Sequence, residues 1–255
     1  MTAPAAGGGE PGEERRHEVE AVSDFGISSL HGPVGRAARR STEAAGEDEL
    51  DPRFALAAAL RRITSATVGR PVADEDLRAA ATAMATVADR LEAAAGEGRR
   101  ARSEPDPTGR PQDFFPTSPV IGYANPIAPP VVVELAEEGL EGTAFFDYQY
   151  EGPPTCVHGG VIAMVFDELL GAANIAAGCP GMTGTLTVRY RKPTPLRTPL
   201  RLEARCTGRE GRKIRTWGGI FREETLLAEA EGIFIELVPD RFLRVILANT
   251  ESPPG

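Results

Sequence analysis

The sequence predicts an α+β domain in which one antiparallel sheet curls around a single buried helix. Three observations lead there. From about residue 130 the chain breaks into short segments rich in Val, Ile, Phe, Tyr and Thr, separated by glycine-containing turns. Only one helical segment, about 160–177, interrupts them. That segment carries Val161, Ile162, Ala163, Met164, Val165, Phe166, Leu169, Leu170, Ala172, Ala173 and Ile175, so it has no continuous polar face and has to be covered on most sides. A sheet wrapped around it is the simplest cover, with a sandwich of other topology as the alternative that composition leaves open.

Residues 1–49 are rich in Gly, Ala, Glu and Arg and poor in large apolar side chains, too few to offset the entropy of ordering, and read as a disordered tail. A helical extension and linker follow over 50–114. Asp51-Pro52 offers an N-cap and a proline at the first helical position, and Phe54, Ala57, Leu60 and Ile63 can share one face. Gly69-Arg70-Pro71 ends that helix. The next, about 74–95, repeats apolar residues at Leu77, Ala81, Met84, Ala88 and Leu91 in 3-4 spacing and stops at Gly96. Prolines and polar residues from 97 to 130 form a linker, whose Phe114 and Phe115 are expected to pack on the core domain, 115–240. The expected strands are 131–136, 143–150, 185–191, 200–207, 214–221 and 226–238, with 241–255 as a C-terminal tail.

Composition excludes several classes of function. A formal charge of −9 opposes coating nucleic acid or an anionic membrane. No apolar run is expected to span a bilayer, and the glycine- and glutamate-rich start does not resemble a secretory signal. Cys156, Cys179 and Cys206 lie far apart, without a C-x-x-C pair, so neither a disulfide framework nor a metal site is expected, no cofactor is called for, and a reducing cytoplasm is the natural compartment. One segment runs against the average: 185–222 holds eleven Lys and Arg against Glu203 and Glu210. A local cationic surface on an acidic protein suits a single anionic ligand better than a polymer.

Chemistry centres on the start of the apolar helix, His158-Gly159-Gly160. The first amides of a helix lack intrahelical acceptors and point outward with the positive end of the helix dipole, and two glycines let a ligand approach them. A thioester carbonyl there would find donors for the oxyanion that develops during attack. Asp167 and Glu168 are carboxylates within an apolar helix, which is costly without a reason. Asp167 can activate water as general base or attack the carbonyl itself; Glu168, turned about 100° away, is expected to meet solvent or an arginine. His158 reads as a residue that shapes the turn. A Ser-His-Asp hydrolase is disfavoured, because His17 and His31 fall in the tail and no G-x-S-x-G occurs.

The run GPPTCVHGGVIAMVFDELLG followed by TGTLTVRYRKPTPL resembles the hotdog-fold thioesterases of the phenylacetate-degradation (PaaI) type. The resemblance covers about 115–240. It implies a hotdog fold, an antiparallel sheet wrapped around one central helix, and hydrolysis of acyl-CoA. It further implies that Gly159 supplies the oxyanion amide, Asp167 is the base or nucleophile, and Thr183 assists from the next strand. His158 and Gly160 then belong to the substrate-binding turn, and Arg191, Lys192, Arg212 and Lys213 to the nucleotide. Many relatives carry Asn six residues before the motif histidine, where this chain has Gly152. A non-catalytic acyl-CoA-binding or regulatory domain is the competing reading, and an enoyl-thioester hydratase a third, which would need a histidine opposite the acid.

Helix length adds a condition on assembly. Gly159 and Asp167 are eight residues apart, about 12 Å along an α-helix, so one protomer cannot present both to one carbonyl. A homodimer, alone or as a dimer of dimers, is therefore expected, each site joining Asp167 of one chain to Gly159 of the other.

Overall fold

The computed structural model describes residues 52–96, 115–129 and 131–237. The segments read as tails, 1–49 and 241–255, and the linker stretch 97–114 lie outside the described residues. Two helices form where the sequence expects them, α1 (Pro52–Gly69) and α2 (Asp74–Ala94). Helix α1 docks through Phe54, whose ring meets Tyr123 edge-on at 5.8 Å, through buried Ala57, and through Arg61, which donates to the Asn125 carbonyl at 2.8 Å. Ile63, expected on this face, is exposed, because the docked stripe follows 54, 57 and 61 instead. No residue of α2 is buried.

Six strands form one antiparallel sheet: β1 (Val132–Ala136), β2 (Gly139–Ala144), β3 (Gly181–Tyr190), β4 (Leu200–Glu210), β5 (Lys213–Arg222) and β6 (Thr225–Glu236). Their spatial order is β1-β2-β4-β5-β6-β3. The expected strand 143–150 is the main departure. β2 starts earlier, in a hairpin that pairs Ala136 with Gly139, and the Tyr-rich stretch becomes a 3-10 turn over Tyr148–Tyr150, started by Asp147, whose carboxylate accepts from the Tyr148 amide. Glycines at 139 and 142 hide the strand from a propensity reading.

Helix α3 (Gly159–Ala176) packs against β2 to β6 and buries Ile162, Val165, Phe166, Leu169, Leu170, Ala172, Ala173 and Asn174. The expected sheet around one helix is therefore present. Each large side chain here contributes about 1.5–3 kcal/mol by leaving water. Gly218 on β5 makes the approach possible, since a Cβ there would stand 2.7 Å from Leu170 Cδ1. Buried Asn174 accepts a hydrogen bond from Thr216 on β5, fixing the helix end to the sheet. By length and composition α3 alone among the described helices is long and apolar enough to cross a membrane. The core helix of a wrapped sheet meets the same description, and α3 lies against the sheet on its apolar side.

That cover is incomplete. Gly160, Asp167 and Ile175 are exposed, and Ala163, Met164 and Gly171 on the same stripe are half-buried. Beside this stripe runs β3, at the sheet edge, pairing with β6 alone and exposed over most of its length.

Candidate active site

The first turn of α3 is built from backbone hydrogen bonds and one imidazole. His158 is the N-cap, in extended conformation, and its Nδ1 accepts from the Gly160 amide at 3.0 Å. Its carbonyl accepts from the amides of Val161 and Ile162 at 2.9 and 3.2 Å. This leaves the Gly159 N–H as the first-turn donor without an acceptor among the described residues. Gly160 leaves room for the cap, because a Cβ would sit a tight 3.1 Å from His158 Nδ1. His158 thus shapes the turn, as its position in the sequence suggests. Its own backbone is anchored by its amide, which donates to the Tyr150 carbonyl at 2.8 Å.

Tyr190, the last residue of β3, donates its hydroxyl to the Gly159 carbonyl at 2.8 Å. The two residues line a cleft of about 370 Å³ with Cys156, Ile162, Arg191 and Lys192. Sequence reasoning passed over Tyr190 and Cys156. The only signal for Tyr190 was its place immediately before Arg191-Lys192. A second hollow of about 400 Å³ continues from Lys192 and Pro193 to Arg222, Thr225 and Leu227.

Asp167 lies two helical turns further along, on the exposed stripe, and its Oδ1 accepts from the Thr183 hydroxyl at 2.7 Å. The structure thus joins Asp167 to Thr183 and Gly159 to Tyr190, and keeps the two pairs apart within one chain. Glu168 corrects the expectation set for it. It is half-buried rather than fully solvated, and its partner among the described residues is not an arginine but Ser118, whose Oγ donates to it at 3.1 Å. Burial pushes its carboxyl above the ordinary value, the Ser118 hydrogen bond opposes this, and the neighbouring Asp167 adds to it.

The basic segment is less bare than its composition implies. Acids on the neighbouring β6 neutralise much of it: Arg189 pairs with Glu231 at 2.8 Å, Arg191 with Glu229, and Arg209 with Glu236 at 2.7 Å. Arg215 meets Glu210, Arg201 meets Glu203, Arg197 meets Asp147, and Arg205 lies over the Trp217 ring. Lys192, Lys213 and Arg222 are left without an ion pair among the described residues. Arg212 donates to the Glu236 carbonyl at 3.2 Å. Nor do the four expected nucleotide residues meet in one protomer. Arg191 and Lys192 border the Gly159 cleft, whereas Arg212 and Lys213 lie at the turn that opens β5. The length of that strand, about 30 Å at 3.3 Å per residue, separates its two ends.

Gly152, which stands in place of the usual Asn, has a steric reason. A Cβ at this position would be 2.7 Å from His158 Cα and 3.1 Å from its Cβ and Cδ2. The space a side chain would take is already filled by the cap.

Residues 155–229 match the family model of the thioesterase superfamily. The crystal structure of protein RHA08564, a thioesterase superfamily protein, superposes with a TM-score of 0.65 at 33% identity, covering 72% of this chain and 90% of that one. The chain belongs to the thioesterase superfamily. Its curled sheet around α3 is the hotdog fold of that superfamily. The acyl-coenzyme A thioesterase THEM4 of Mus musculus is 37% identical over 93 residues, 36% of this chain and 40% of the relative. Its counterpart in Xenopus laevis is 39% identical over 92 residues, 35% of this chain and 41% of the relative. The chain thus spans about two fifths of the length of these relatives. The family match holds the whole of His158-Gly159-Gly160, Asp167, Thr183 and both basic pairs of this thioesterase-superfamily chain.

Proposed function

We propose that this chain hydrolyses an acyl-CoA thioester to the free acid and CoA, at two equivalent sites shared by the protomers of a two-fold dimer. The observation that carries the reading is the state of α3. An unpaired Gly159 amide opens it, and a carboxylate steadied by Thr183 stands eight residues later on the stripe that the sheet leaves uncovered. A second copy of α3, antiparallel across that stripe, brings the partner's Asp167 toward Gly159. The open edge of β3 can pair with its own copy about the same axis and continue the sheet.

In this arrangement the thioester carbonyl accepts from the Gly159 N–H, which stabilises the developing oxyanion. The partner's Asp167 takes a proton from water attacking the carbonyl carbon, or attacks that carbon itself to give an anhydride that water then cleaves; either route expels CoA thiolate. The Thr183 hydroxyl occupies one carboxylate oxygen and so orients the other. Because β3 runs antiparallel to its copy, the partner's Arg212 and Lys213 come to the side of Arg191 and Lys192, and all four can then face one nucleotide. Substrate class is supported by the names of the THEM4 relatives.

Release of free thiol from a panel of acyl-CoAs of different chain length tests the reading, and saturable turnover of at least one member is expected. CoA binding without thiol release would make this a binding domain, and hydration of an enoyl-CoA in its place would make it a hydratase.

A further inference from the structure

Helix α2 is amphipathic yet buries nothing: Leu77 is 38% exposed, Leu91 50% and Val87 38%, and all lie on or beside one stripe. Positions 77, 81, 84, 88 and 91 alternate in steps of four and three, the seam of a coiled coil with Leu77, Met84 and Leu91 at d and Ala81 and Ala88 at a. We infer that this face binds a second copy of itself in antiparallel orientation, clasping two chains together through α2.

Size complementarity selects that occupant and that direction. Antiparallel seams place a residues opposite d residues. With Met84 facing Ala88 of the copy, Ala81 faces Leu91, and every such layer joins one large side chain to one alanine, allowing axes to approach to about 8 Å. Parallel pairing would instead stack alanine on alanine and, in alternate layers, leucine on leucine or methionine on methionine, leaving gaps next to crowded ones. Charge selects the same register. The antiparallel match sets Arg78 beside Glu92 of the copy, and Glu92 beside its Arg78, with Val87 meeting Val87 across the axis. In the parallel arrangement neither Arg78 nor Glu92 gains a partner of opposite charge. Arg78 is now held by Asp74 in a largely solvated pair, so it is free to turn. A helix of 21 residues is a small interface by itself. It acts as a clasp that strengthens association between chains already held by their cores. The pairing of α2 is argued from its own residues, its role as a clasp rests on the dimer proposed above, and neither depends on which reaction the site performs.

Sedimentation of the full chain over a range of concentrations tests it. Leu77→Glu with Met84→Glu should weaken one association step at least about tenfold, while Ala79→Glu, on the opposite face, should leave every step unchanged. Arg78→Glu should weaken the same step by opposing Glu92 of the copy, and adding Glu92→Arg should restore it. Identical association of the seam and control variants would overturn the clasp, as would a wild-type chain that stays monomeric throughout. Failure of Glu92→Arg to rescue would overturn the antiparallel register.

Discussion

Thr183 on the edge strand donates a 2.7 Å hydrogen bond to Asp167 on the exposed stripe of the central helix. An exposed carboxylate of a packed helix is thus held in one orientation by a neighbouring strand. Asp167→Asn keeps the shape and loses the charge, and is expected to lower thioester hydrolysis at least about a hundredfold with folding intact. Thr183→Val removes the hydroxyl and should cost about tenfold, the low end for a hydrogen bond to a charged group at an exposed site. Turnover of purified, folded variants checks both, and near-normal rates in Asp167→Asn would remove this residue from the mechanism.

Tyr190 and His158 hold the Gly159-Gly160 turn from two sides, which matters because glycine pairs are the least constrained way to begin a helix. Tyr190→Phe deletes one hydroxyl and is expected to lower kcat about three- to tenfold, the value of one neutral hydrogen bond, with KM little changed. A rise in KM at constant kcat would instead mean that Tyr190 contacts the acyl-CoA directly.

The helix and most strands were legible because their evidence is local: apolar periodicity, β-branched runs and glycine turns. Helix 160–177 differs from Gly159–Ala176 by one residue at each end. The partners of the charged residues were not legible, since they depend on which strands become neighbours. Glu229, Glu231 and Glu236 reach the basic strand residues only through sheet pairing, and Ser118 lies fifty positions from Glu168. The Tyr190–Gly159 contact was hidden for the same reason, its residues being thirty-one positions apart.

Glu168 gives a pH-dependent test. Its carboxyl is raised by burial, so the folded state binds the proton more tightly than the unfolded one. Stability from this group is therefore present at acidic pH, below the unfolded value, and is lost as pH rises through the raised folded value. Glu168→Gln keeps an oxygen for Ser118 and carries no charge. Its Tm relative to wild type should increase from pH 4 upward, by about the same margin once above both values, and a constant difference across the range would contradict the burial of this group.

Gly152→Asn would restore the residue common among relatives but add a side chain where His158 stands. It should lower Tm and bring no gain in hydrolysis. A stable variant with raised kcat would show that the turn can open to admit the amide.

The shared site makes a stronger claim than any single substitution can test. Asp167 and the Gly159 amide belong to one helix, about 12 Å apart, and only pairing of two helices brings both to one carbonyl. Gly159→Pro removes the proposed donor at a position where helices accept proline. A side-chain carbon there meets Tyr190 at 3.4 Å, ordinary contact, so the fold should survive. Each of Asp167→Asn and Gly159→Pro is expected to be inactive alone. In a mixed dimer, one site receives both defects and the other receives neither, so subunit exchange should recover up to one working site per heterodimer. Recovery following the binomial fraction of heterodimers measured by mass would establish sharing. Absence of recovery in folded, verified heterodimers would mean that both groups act within one chain or that one of them has been assigned the wrong role.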